Sequence, residues 1–82
     1  MMHDPRVDYV SHSITETIGE ALPREMARVR DEVLPEYYTV GPEGALAIAM
    51  MKADLDAAAR AMAEGDIAAM IRAYTELKEY KL

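Results

Sequence analysis

Apolar residues recur at Val7, Val10, Ile14, Ile18, Leu22, Met26, Val29, Val33 and Tyr37, eight steps over 30 residues. The mean spacing of about 3.75 is that of an α-helix with one oily side. No segment alternates with the period of two that a half-buried strand requires. An all-α fold follows, with helices that must bury one stripe each.

Helix signals divide the chain. Asp4-Pro5 places a capping side chain before a proline at the first helical position, where its missing N–H costs nothing. The stripe then predicts a long N-terminal helix over residues 5–34. Pro23 interrupts it, because an internal proline deletes the bond to residue 19 and crowds that carbonyl. Residue 19 is glycine, which eases a kink. Two paths are open: one helix kinked at 22–23, or two helices broken there. The unbroken phase of the stripe favours the first.

Pro35 is expected to end the segment, since the residue before proline is pushed out of the α region. Residues 35–41 then form a connection carrying Tyr37 and Tyr38. Gly41-Pro42 restarts a helix over 42–64, with Ile48, Met51, Leu55, Ala58 and Met62 on one face. Alanines flank that face at 45, 47, 49, 53, 57, 59 and 61, and small side chains let helices approach closely. Gly65-Asp66 is the clearest boundary, a left-handed C′ glycine followed by a capping aspartate. A link this short forces an antiparallel hairpin with a last helix over 66–80, whose face is Ile67, Met70, Ile71, Tyr74 and Leu77.

The 82 residues make one small domain, and the usual staples are missing. There is no cysteine, which removes disulfides and thiolate metal sites, and His3 and His12 are too few for an ordinary zinc site. Helix packing and association remain as sources of stability. A helix over 5–34 would be about 45 Å long against about 34 Å for 42–64, so part of its stripe would stay uncovered. Covering it with a second copy makes the chain a homodimer, with an interface drawn from Val7, Val10, Ile14, Ile18, Met26, Val29, Val33, Tyr37, Tyr38 and Met50. Tyr37 and Tyr38 suit a rigid aromatic anchor, and Met50 lies off the buried stripe of its helix.

Chemistry is sparse. Asp8, His12 and Glu16 share one helical face, but an exposed face carries such residues routinely. No Glu-x-x-His pair, G-x-S-x-G elbow or Walker-type loop occurs, so no catalytic, cofactor or metal site is expected. Gly41-Pro42-Glu43-Gly44 reads as the start of a helix. The net charge of −6, with signs interspersed, argues against direct nucleic-acid or anionic-membrane binding. Without an export signal, membrane span or cysteine, the expected location is cytoplasmic.

The stretch Ala61-Met62-Ala63-Glu64-Gly65-Asp66-Ile67-Ala68-Ala69-Met70-Ile71-Arg72-Ala73-Tyr74 resembles the turn and second helix of a tetratricopeptide unit, which implies helix-pair stacking and peptide binding. The pattern occurs once, whereas stable arrays need about three repeats. Ala49 to Leu55 and Gly65 to Lys78 are similar to small helical proteins encoded by temperate phages and prophages. That resemblance implies an accessory factor, one that acts on a host protein. The expected function is therefore a non-enzymatic helical interaction module. The alternative is an acidic inhibitor that occupies a host protein's nucleic-acid-binding surface, against which Arg24, Arg28 and Arg30 argue.

Overall fold

The computed structural model describes residues 17–82, and no strand occurs among them. The chain opens on a helical rod made of α1 (Ile18–Arg28), a π-helical segment (Val29–Val33) and a short α2 (Leu34–Tyr38). After a turn, a 3₁₀ segment (Pro42–Gly44) leads into α3 (Ala45–Glu64), and α4 (Ile67–Lys78) returns antiparallel to α3. The rod lies against this hairpin: α1 packs on α4, and α2 packs on α3.

The rod differs from expectation at two places, its start and Pro35, and at Pro23 it takes the continuous one of the two expected paths. Its start is Thr17, which is extended (φ −81°, ψ 161°) and so cannot lie inside a helix through residues 5–34. The Glu20 carboxylate accepts from the Thr17 backbone N–H at 3.1 Å, one half of a capping box that fixes the first turn at Ile18. Residues 5–16 of the expected helix lie outside the described residues.

At Pro23 the helix neither ends nor breaks; α1 carries the proline in its interior. The proline falls just after the first turn, so the acceptor it deprives is Gly19, near a helix end where backbone groups face solvent.

Pro35, in turn, does not end the rod, which runs on to Tyr38. The chain widens into the π segment immediately before this proline, where the Leu34 N–H bonds the Val29 carbonyl five residues back. A wider turn moves the preceding carbonyls away from the pyrrolidine ring, so the α-helical clash at residue 31 is relieved rather than avoided by stopping.

These boundaries remove the length mismatch. From Ile18 to Tyr38 the rod is about 31 Å long, and the 20 residues of α3 span about 30 Å. The hairpin therefore covers the described stripe. Leu22, Val29, Val33, Met51 and Leu77 are the largest fully enclosed side chains, each worth roughly 1.5–3 kcal/mol of burial. Ala58, Ala61 and Ala73 let the helices meet closely around them.

The connections have the chemistry that the sequence indicates. The Asp66 N–H bonds the Ala61 carbonyl and the Gly65 N–H bonds Met62, both bonds of a Schellman cap, with Gly65 left-handed at φ 66°. Asp66 Oδ1 accepts from the Ala69 N–H at 3.1 Å and caps α4. Gly41 (φ 90°, ψ −157°) turns the chain in a region that is essentially glycine's alone. Gly44 is needed for space: a Cβ there would lie 2.8 Å from the Tyr37 carbonyl oxygen.

Candidate functional site

Arg28 ties the rod to the end of α4. Its Nε donates to Glu25 Oε1 at 2.9 Å and its Nη2 donates to the Leu77 carbonyl at 3.1 Å. A cation at the C-terminus of α4 also complements the helix dipole. Past α4, Tyr37 Oη donates to the Lys81 carbonyl and Tyr80 Oη donates to Asp54 Oδ2 at 2.6 Å. Burial, then the Asp54 carboxylate as acceptor and charge, then Glu76, hold the Tyr80 phenol well above its ordinary value. On the rod, Arg30 and Asp31 form an exposed two-bond pair. Their mutual hydrogen bonds are the first cause of the raised Arg30 and lowered Asp31 pKa.

Among the described residues, no group of three acidic, histidine or cysteine side chains is placed to hold a metal. An open cleft of roughly 320 Å³ lies between α3 and α4, lined by Asp54, Ala57, Ala69, Arg72, Ala73 and Glu76. It is shallow and of mixed charge, and it holds no buried polar atom without a partner. No helix among the described residues is long and apolar enough to cross a membrane.

The residues expected to meet a second chain divide. Val29 and Val33, 0% and 1% exposed, are corrected: their own hairpin encloses them, because rod and hairpin match in length. Ile18, Met26 and Tyr37 are half-buried against the same core. Tyr38 and Met50 stand exposed at 54% and 50%. Val7, Val10 and Ile14 lie outside the described residues, as do Asp8, His12 and Glu16.

What α3 turns outward is more distinctive than those residues. Its inner side is Met51, Ala58 and Ala61, with Ile48, Leu55 and Met62 half-buried beside them. On the outer side, Ala45, Ala49, Ala53 and Ala57 form one exposed row at four-residue spacing. Beside it runs a second exposed row, Lys52, Asp56, Arg60 and Glu64, in which the sign alternates at each step. Such spacing suits ion pairs within the helix. Among the described residues, however, Asp56, Arg60 and Glu64 take part in no hydrogen bond or salt bridge, and Lys52 lies 5.5 Å above the Tyr38 ring instead. Near the start of α3, Leu46 is 73% exposed, one turn before Met50. Reading for apolar periodicity passes over this row, although the four charges are plain in the sequence once counted in steps of four.

Comparison with family models, with curated proteins and with solved structures gives no match.

Proposed function

We propose that this chain is a non-enzymatic helical interaction module that works as a homodimer, in the role of an accessory or regulatory factor. One observation carries the reading: among the described residues, α3 holds Leu46 and Met50 exposed, one turn apart, beside an exposed all-alanine row. Exposed apolar surface that adjoins close-packing small residues is what a partner helix seeks.

Sedimentation at micromolar concentration tests the reading. The expected result is a dimer for the unaltered chain and a monomer of unchanged helicity for the Leu46→Glu, Met50→Glu variant. A monomer for the unaltered chain would end this reading.

A further inference from the structure

We propose that two copies of this chain pair through the outer face of α3, antiparallel, in a register set by the charge row Lys52, Asp56, Arg60, Glu64. The proposal rests on the homodimeric reading above and adds to it the surface and the register.

The row is complementary to its own reverse. Reversed end for end, the order plus, minus, plus, minus becomes minus, plus, minus, plus. When α3 is laid antiparallel on its own copy with the two-fold axis midway between Asp56 and Arg60, every charge meets its opposite. Asp56 faces Arg60 of the second copy, Lys52 faces Glu64 of the second copy, and the two-fold repeats both pairs. An isologous interface requires this self-complementarity. A parallel arrangement in the same register would set each charge against its own kind, which costs free energy.

Three further features fit a second copy. First, Asp56, Arg60 and Glu64 have no partner among the described residues, and of the four charges only Lys52 leaves an existing contact, its place over the Tyr38 ring, to pair across the axis. Second, the row is bordered by exposed alanines, Ala49, Ala53 and Ala57 on one side and Ala59 and Ala63 on the other. Alanine borders let two helix axes come close enough for Arg60 and Lys52 to reach across. Third, the same register overlaps the two α3 helices over residues 52–64 and sets Met50 of each copy level with the Gly65–Asp66 turn of the other, so the exposed Met50 lies at the edge of the paired length. Exposed ion pairs are individually weak, and their main work is to fix orientation and register.

Charge reversal with mixing tests the register. Arg60→Asp leaves two acids at the centre of the row and Asp56→Arg leaves two bases, so each variant opposes its own copy across the axis. Each is expected to dimerise about tenfold or more weaker than the unaltered chain, because the two-fold turns two attractions into repulsions at once. An equimolar mixture of the two restores both central pairs and is expected to form a one-to-one heterodimer of near-original affinity. Pairing within one helix cannot produce that rescue. Mixing Arg60→Asp with Glu36→Arg, which has the same net charge as Asp56→Arg but keeps Asp56 and Arg60, is expected to restore only one of the two central pairs and to give a clearly weaker heterodimer. Thermal melts establish that each variant is folded. If the unaltered chain dimerises and the single variants do so equally well, or if their mixture gains nothing, the register is wrong while the homodimeric reading stands. If the unaltered chain is monomeric, that reading itself fails.

Discussion

Tyr80 donates its hydroxyl to Asp54 Oδ2 at 2.6 Å, and so fastens the tail that follows α4 to the middle of α3. Together with Tyr37 on the Lys81 carbonyl, this holds the last residues against both the rod and the hairpin. A charge-assisted bond at a half-buried site contributes more than an exposed one.

The first prediction is that Tyr80→Phe costs about 1.5–3 kcal/mol in urea unfolding, the usual worth of a hydrogen bond to a charged acceptor. The pH dependence has a definite sign. The folded-state pKa of Tyr80 lies above its unfolded value near 10.0, so the stability it brings is fully present below that pH. It is lost as pH climbs further, where the unfolded chain releases the proton first. The stability of the unaltered chain should therefore fall more steeply above about pH 10 than that of Tyr80→Phe. In an ultraviolet titration of the five tyrosines, one phenol should ionise last, and that late step should vanish in the variant.

Gly44→Ala is expected to destabilise by about 1–3 kcal/mol, the cost of forcing a methyl group into filled space. The added Cβ would meet the Tyr37 carbonyl oxygen at 2.8 Å, a backbone atom that cannot swing aside. Gly19→Ala is the control, because its nearest neighbour is Thr17 Oγ1 at 3.7 Å and its backbone is helical. That change should be neutral or stabilise by up to about 1 kcal/mol. Equal losses at both positions, measured by thermal melts, would refute the steric account.

Much of this architecture is legible in the sequence, and the parts that are not have physical reasons. Gly65-Asp66 and Gly41-Pro42 declare their turns because left-handed backbone and helix capping demand particular residue types. The inner stripe from Ile18 to Tyr37 keeps its phase because burial selects it. The helix start at Thr17 is harder to see, because Ile14 and Ile18 continue the stripe across it and periodicity is blind to a cap. The Thr17-x-x-Glu20 signal was the available evidence. The π segment is equally hidden, since the four-residue steps from Val29 to Val33 to Tyr37 suit a widened turn as well as an α-helix. Pro35 marks where strain must be relieved but not whether the chain stops or widens. The charge row of α3 is visible in the sequence, yet only the structure shows that Asp56, Arg60 and Glu64 have no partner among the described residues.

Pro23→Ala should stabilise the chain by about 1–2 kcal/mol. The substitution restores an N–H that can bond the Gly19 carbonyl and removes ring crowding in the interior of α1. The gain should fall short of the roughly 3 kcal/mol of a fully interior site, because alanine also frees the unfolded chain. Urea unfolding measures it, and a loss of stability would mean that the fixed φ of the proline outweighs the hydrogen bond it removes.

Arg28→Lys removes geometry while it keeps charge. The guanidinium reaches Glu25 and the Leu77 carbonyl at once because its donors lie in a fixed fork. A lysine ammonium is a point charge on a flexible stem, and it cannot hold both acceptors from the same place on α1. The Leu77 side chain is fully buried, and its carbonyl is where α1 meets the end of α4. The expected cost is about 1–2 kcal/mol, with faster amide exchange in the last turn of α4 as the local sign. Arg30→Lys supplies the contrast: its pair with Asp31 is exposed on both sides, so that change should leave stability nearly unaltered. A large loss at position 30 together with none at position 28 would show that the contact between α1 and α4 is held by packing alone.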